Sequence, residues 1–355
     1  MRIYGMVVKD RCLSRTECVM KFGAMFLLAK PEGRTDAEVY AEALEQIELA
    51  DRLGFDSVWL AEHHFVDYGI CPSTLSLAVA AASRTTNVRI GTGVRILALD
   101  HPVRVAEEAA VVDVLSGGRL EFGIGAGYQK AEFAGYGVPF HERRERLRAN
   151  IKTIVEIWEN KPVSPNPFHP ELPDELTIHP MPIQDPFPPV WVAAWSKDSI
   201  EWAARNGWPF MVSFIENTEQ IRENLAIYEA ARLEAGQPPL SDVAVARNTY
   251  VGADGEDVRA SCEPALEHFL NQLRSKGVFS KGQLISPEDV NYDYLCDSGA
   301  WVLNDEASVI ERLKVMESEM GVSYYLGVFS FGSLPHEKVM ASMERFATAV
   351  MPAFR

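Results

Sequence analysis

Positive charge is in deficit: 34 Lys and Arg stand against 50 Asp and Glu, giving a net charge of -16. No basic patch offsets it, which argues against nucleic acid or an anionic membrane surface as a partner. Long apolar runs are missing as well. None approaches the ~20 residues of a membrane span, and residues 1–19 lack the continuous apolar core of a signal peptide. Cysteine is sparse: Cys12, Cys18, Cys71, Cys262 and Cys296 are scattered, odd in number and without a C-x-x-C pair. That pattern suits free thiols in a reducing cytoplasm, not a disulfide framework or a structural zinc site. Two catalytic signatures are also missing. The chain has no G-x-x-x-x-G-K-[ST] phosphate loop and no G-x-S-x-G nucleophile elbow.

What remains is a strand–helix alternation. The 355 residues, 47% of them hydrophobic, are enough for one large α/β barrel. Apolar runs at Met20–Leu27, Val58–Leu60, Val88–Thr92, Leu120–Ile124, Val190–Ala193, Pro209–Val212, Val243–Val251 and Tyr324–Phe329 read as eight strands. Between them lie helical patterns, such as Tyr40, Ala43, Leu44, Ile47 and Ala50 on one stripe. Others are Pro72–Arg84, Glu142–Glu159, Thr218–Ala235 and the closing His336–Val350. Eight strands with intervening helices favour a closed (β/α)8 barrel over an open sheet. Residues 1–19 read as an extension and 20–355 as the barrel domain, with irregular excursions at 161–189 and 276–303. The second falls between strands seven and eight, which makes it a candidate lid.

Chemistry gathers at the strand ends. In VWLAEHHF, an apolar strand runs straight into Glu62, His63 and His64, where a barrel places its reactive groups. Adjacent side chains in an extended segment face opposite ways, so only one histidine can look into the mouth. His101, His141, His169 and His179 show no paired ligand spacing, and no metal site is expected. The glycines of FGIGAGYQ are spaced G-x-G-x-G, which supports a dinucleotide turn only weakly. In HERRERLRAN, Arg143, Arg144, Arg146 and Arg148 crowd the first turns of a helix and oppose its dipole. They invite an anion, or form a solvated face with Glu142 and Glu145. Ser196 and Ser199 begin another helix, as phosphate donors or with Ser196 as a plain N-cap. Together these groups favour a phosphorylated cofactor.

The ordered set of VWLAEHHF, RIGTGVRILALDHPVRVAEEAAVVDVLSGGRLEFGIGAGY, YGVPFHERRERL, AWSKDSIEWAA and the closing SLPHEKVMASMERFATAVMPAFR resembles the bacterial luciferase-like flavin monooxygenases. The resemblance runs from Met20 to Phe354. It implies a (β/α)8 barrel with an insertion between strands seven and eight. Reduced FMN would bind at the carboxyl face, react with O2, and pass one oxygen atom to a small organic substrate. Carried over by position, His63 is the acid/base residue, suited to it because an imidazole titrates near neutral pH. Glu62 would orient it or tune it.

Gly93-Val94 matches a non-prolyl cis peptide beneath the flavin ring. Arg144 matches a phosphate-binding arginine, Ser196 and Ser199 its hydroxyl partners, and Ala194 and Trp195 complete the cofactor-binding set. Two departures matter. Gly125-Ala126 stands where luciferase has a Cys-Arg pair, and Trp195 replaces a glutamate that contacts the phosphate, so light emission is not expected. Phe26, Phe65, Tyr128 and Phe214 would wall an apolar substrate pocket, with barrel-core packing as their plain alternative. The resemblance further implies a separate NAD(P)H:flavin reductase and a homodimer in the cytoplasm. Two other roles stay open on the same fold: a deazaflavin F420-dependent oxidoreductase, and a catalytically silent partner subunit.

Overall fold

Each apolar run is buried on both faces and bounded by turns, which is the pattern of parallel barrel strands. The computed structural model describes residues 19–213, 216–238, 243–275 and 290–355. Residues 1–18, Phe214 and the first half of the 276–303 excursion (276–289) lie outside the described residues. The first half runs β1 (Lys21–Phe26), α1 (Asp36–Leu53), β2 (Ser57–Leu60), α2 (Thr74–Arg84), β3 (Arg89–Thr92), β4 (Arg95–Ile96), α3 (Pro102–Ser116) and β5 (Leu120–Gly125). A short α4 (Lys130–Tyr136) and the long α5 (Arg143–Trp158) follow, then β6 (Val190–Ala193), α6 (Lys197–Arg205), β7 (Phe210–Val212) and α7 (Thr218–Glu234). The chain continues through β8 (Val243–Val251), α8 (Val258–Ser275), α9 (Tyr292–Asp297), β9 (Trp301–Asn304), α10 (Glu306–Met320), β10 (Tyr324–Val328) and α11 (His336–Arg345).

All pairings in this sheet are parallel, and β10 closes the ring by pairing with both β1 and β8. With β4 and β9 set aside, eight strands make the expected (β/α)8 barrel. Its interior is filled, not hollow. The rings of Trp59, Trp191 and Tyr324 meet edge to face with centroids 5.5–6.3 Å apart. Ser57 Oγ accepts from Trp59 Nε1 at 2.6 Å and from the Tyr324 hydroxyl. A Cβ on Gly91 would lie 2.2 Å from the Trp59 ring, so only glycine lets β3 pass the indole. Outside the ring, α1 buries Val39, Ala43, Ile47 and Ala50 on one stripe. Each such aliphatic side chain larger than alanine contributes about 1.5–3 kcal/mol by leaving water.

The first excursion and the described part of the second have more order than their composition suggests. Residues 161–189 hold no helix or strand, yet they form a hook laid back along α5. Val163 N–H donates to Asp174 O at 2.7 Å across its base. Near its tip, buried Asn166 donates to Asn150 Oδ1 and Thr153 Oγ1 at 3.1 Å each, and Phe168 stacks beneath Arg146. The second excursion, expected to be irregular to residue 303, instead contains α9 and β9. The strand pairs with the outer half of β8, from Asn248 to Val251, and raises the barrel wall there. Four residues carry too short a pattern to read alone, and β9 exists because β8 offers it an edge. Among the described residues, no helix is long and apolar enough to cross a membrane.

Candidate active site

The carboxyl ends of the strands surround a cavity of about 300 Å³. Its floor is backbone-rich: the cis peptide Gly93–Val94 from β3 lies beside Gly125 and Ala126 from β5. A Cβ on Gly125 would lie 2.5 Å from Val94 Cγ2, so glycine keeps this floor flat. Met25, Ile96, Met211 and Leu273 give apolar walls.

β2 delivers the titratable groups. His63 lines the cavity, and its Nδ1 lies 3.2 Å from Glu132 Oε1 of α4. The same oxygen accepts the His64 backbone N–H at 3.0 Å. His64 does not line the cavity; its Nε2 meets Glu62 Oε1 at 3.1 Å and its Nδ1 meets the Tyr136 hydroxyl at 3.0 Å. The expected pairing of Glu62 with His63 is therefore not what the structure holds. Residues i and i+2 of an extended segment share a face, which sends Glu62 to His64.

Glu62 is also buried against Arg95, which donates to Glu62 Oε2 at 2.8 Å and to Asp100 Oδ1 at 2.7 Å. Burial pushes Asp100 up to about 6, with Arg95 pulling the other way. Beside His63, the Tyr68 and Tyr128 hydroxyls lie 3.2 Å apart, and Gln129 donates to Tyr68. Burial raises the pKa of both phenols, Tyr68 to about 12, so both are neutral hydrogen-bonding groups.

Another part of the cavity lining suits an anion. Arg144 and Arg143, on the first turn of α5, line it together with Ser196 and Ser199. Geometry sorts the arginine cluster. Arg146 is paired with Glu142 at 2.8 Å, Arg148 with Asp198 at 2.6 Å, and Arg143 stacks on Phe140. Arg144, exposed at the rim, keeps its charge available. Ser196 caps α6, accepting the Ser199 N–H at 3.4 Å, and its hydroxyl meets that of Ser199 at 3.0 Å. Both readings of Ser196, cap and anion donor, thus fit one position. A guanidinium, two hydroxyls and a helix N-terminus fit a phosphate group, and the flat apolar floor fits a planar ring.

The remaining expected residues divide. Ala194, Trp195 and Tyr128 line the cavity; Trp195 is 43% exposed at its rim and lies 5.4 Å from the Tyr128 ring. Phe26 does not line it. In β1 it alternates with Met25, which points inward, so Phe26 packs into the outer core. Phe65 is 66% exposed and borders a separate shallow groove with Lys30 and Asp67. Phe214 lies outside the described residues. Sequence reasoning missed Glu132, Arg95, Asp100 and Tyr68. None sits in a motif with the histidine it serves, and only the fold brings them together.

A family signature described as luciferase-like monooxygenase matches residues 20–316. The oxygenase component of the flavin-dependent trigonelline monooxygenase of Acinetobacter baylyi is 29% identical, covering 90% of this chain and 91% of its own. The alkanal monooxygenase alpha chain of the Kryptophanaron alfredi symbiont is 27% identical, over 94% of this chain and 98% of its own. Among solved structures, monooxygenase RslO1 from Streptomyces bottropensis superposes with a TM-score of 0.85 at 28% identity, covering 95% of this chain and all of its own.

Proposed function

The chain belongs to the luciferase-like monooxygenase family, and from that premise we propose that it is the oxygenase component of a two-component system. It takes reduced FMN from a separate NAD(P)H:flavin reductase and uses O2 to oxygenate a small organic substrate. The observation that carries this reading is one cavity lined both by a phosphate-fitting group and by a buried histidine held by a carboxylate. The name of the Acinetobacter relative, an oxygenase component, supports the division of labour.

When bound, the reduced flavin supplies the electrons that activate O2. The residues of the chain do the rest. Arg144, Ser196 and Ser199 hold the phosphate, and Gly93, Val94, Gly125 and Ala126 support the ring. Met25, Ile96, Met211 and Leu273 exclude water from the reacting face. His63 moves the proton. A carboxylate can only accept, so Glu132 keeps the imidazole proton on Nδ1 and leaves Nε2 to exchange one with the cavity.

Anaerobic equilibrium titration of the pure chain with reduced FMN, oxidised FMN and F420 tests this reading. Tight binding of reduced FMN with no binding of F420 is expected. Preferential binding of F420 would make the chain a hydride-transfer enzyme on the same barrel and overturn the proposal.

A further inference from the structure

Histidines without any ligand spacing in the sequence meet outside the cavity. His101 precedes α3, and His169 and Glu171 sit on the tip of the hook formed by residues 161–189. His101 Nε2 lies 3.7 Å from Glu171 Oε1, and His169 Nδ1 lies 3.5 Å from that same oxygen. The two imidazole rings stand 4.6 Å apart, and one donor atom from each of the three residues falls within 4.8 Å of the others. Although His101 occupies the N-cap position, its side chain makes no capping hydrogen bond. It is turned toward the hook instead. Arg146, stacked on the neighbouring Phe168, is already neutralised by Glu142 at 2.8 Å.

We propose that His101, His169 and Glu171 form a three-ligand site for a borderline divalent cation, Zn2+ above all. Two imidazoles and a carboxylate select late first-row ions, whereas Mg2+ and Ca2+ require all-oxygen shells. Tetrahedral coordination at about 2.0–2.1 Å from the metal places donors about 3.3–3.4 Å apart. The two His–Glu separations, 3.7 and 3.5 Å, exceed that by only a few tenths of an ångström, and the third donor pair lies within 4.8 Å, gaps that side-chain rotation closes. Water fills the remaining position. His101 is 44% and Glu171 62% exposed at the side chain, so an ion reaches the site without opening the fold.

The site lies where two distant segments meet. Asn166, near the hook's tip, donates to Asn150, and Asn150 donates to Leu97 O at 2.8 Å and Asp100 O at 3.1 Å. A cation there clips the hook to the loop that follows β4 and braces the first turns of α5, which carry Arg143 and Arg144 to the cavity. The site itself is separate from the cavity and does no chemistry on flavin or substrate.

Isothermal titration of the metal-stripped full chain with ZnCl2, in the absence of flavin, tests the proposal. One Zn2+ per chain with a micromolar Kd is expected, while MgCl2 and CaCl2 give no heat of binding. His101→Ala and His169→Ala should each weaken Zn2+ at least ~10-fold, a loss comparable to that from removing even an outer-shell partner. Glu171→Gln keeps the shape of an exposed side chain and should weaken binding without changing the apo melting temperature. Wild type alone should melt higher when Zn2+ is added. Absence of saturable one-to-one binding, or binding that survives loss of both histidines, overturns the site.

Discussion

His63 Nδ1 lies 3.2 Å from Glu132 Oε1, and that one carboxylate oxygen also accepts the backbone N–H of His64 at 3.0 Å. Glu132 is 1% exposed, so a single buried group fixes both the ring of His63 and the path of the chain through His64. Glu132→Gln keeps the volume but no longer enforces one tautomer on His63. In single turnover of enzyme-bound reduced FMN with O2 and a screened substrate, His63→Ala should lose at least ~100-fold in product formation. Glu132→Gln should lose about tenfold or more, a part of the ~10²–10⁴ that a positioned acid or base supplies. Both should keep reduced FMN within about threefold. His64→Ala should be much milder in turnover; if instead it alone abolishes product, the inward histidine has been misassigned.

The barrel was legible because its signals are local. Strands such as Val190–Ala193 and Val243–Val251 are short buried runs between turns, and their bounds follow from composition alone. The end Glu62-His63 could be placed at the mouth by the same logic, whereas Gly93-Val94 was implied only by the family resemblance. What could not be read were partners set by topology. Glu132 reaches His63 from a seven-residue helix with no motif of its own, and His169 reaches His101 only because the hook folds back along α5. Helix α8 was hidden by Pro264 in its interior. The Glu62–His64 pairing, by contrast, was readable: it follows from the two-residue period of an extended segment.

Arg144 offers the most direct test of the anion end. Arg146 and Arg148 have carboxylate partners, whereas Arg144 faces the cavity beside Ser196 and Ser199. Arg144→Ala should weaken reduced FMN far more than reduced riboflavin, which lacks the phosphate. A charge-assisted hydrogen bond is worth ~1.5–3 kcal/mol, so the loss should be roughly ten- to a hundredfold. Arg148→Ala serves as the paired control and should leave the ratio unchanged. Equal weakening of both flavins by Arg144→Ala would separate this arginine from the phosphate.

Glu216 predicts how stability varies with pH. Burial raises its carboxyl from 4.5 to about 7, against the N–H of Ser213 at 3.0 Å and the charge of Arg247. A carboxyl whose folded pKa is raised is stabilised when protonated. Its contribution is complete below the unfolded value of 4.5 and is lost as pH rises through about 7. The loss is on the order of 3 kcal/mol, at ~1.4 kcal/mol per pKa unit. Glu216→Gln should therefore show a smaller fall in melting temperature between weakly acidic and weakly alkaline buffer than the wild type. Parallel curves for the two proteins would place the pH dependence elsewhere.

The glycine-rich end of β5 bears on the proposal that the chain relies on a separate reductase. A dinucleotide turn requires glycines free to approach a pyrophosphate, but here they are committed to the barrel. A Cβ on Gly123 would lie 1.9 Å from Thr92 O, and one on Gly125 would strike Val94. The cavity of about 300 Å³ has one anion end, already matched by the needs of a single phosphate. The pure chain with FMN should therefore oxidise NADH or NADPH only at the background rate of the free flavin. Adding a purified NAD(P)H:FMN reductase should start O2 consumption, and Arg144→Ala should reduce the share of reduced FMN that the chain captures. The measurement is NADPH loss at 340 nm alongside O2 uptake. Fast NADPH loss by the chain alone would mean that it reduces its own flavin, and the two-component reading would fail.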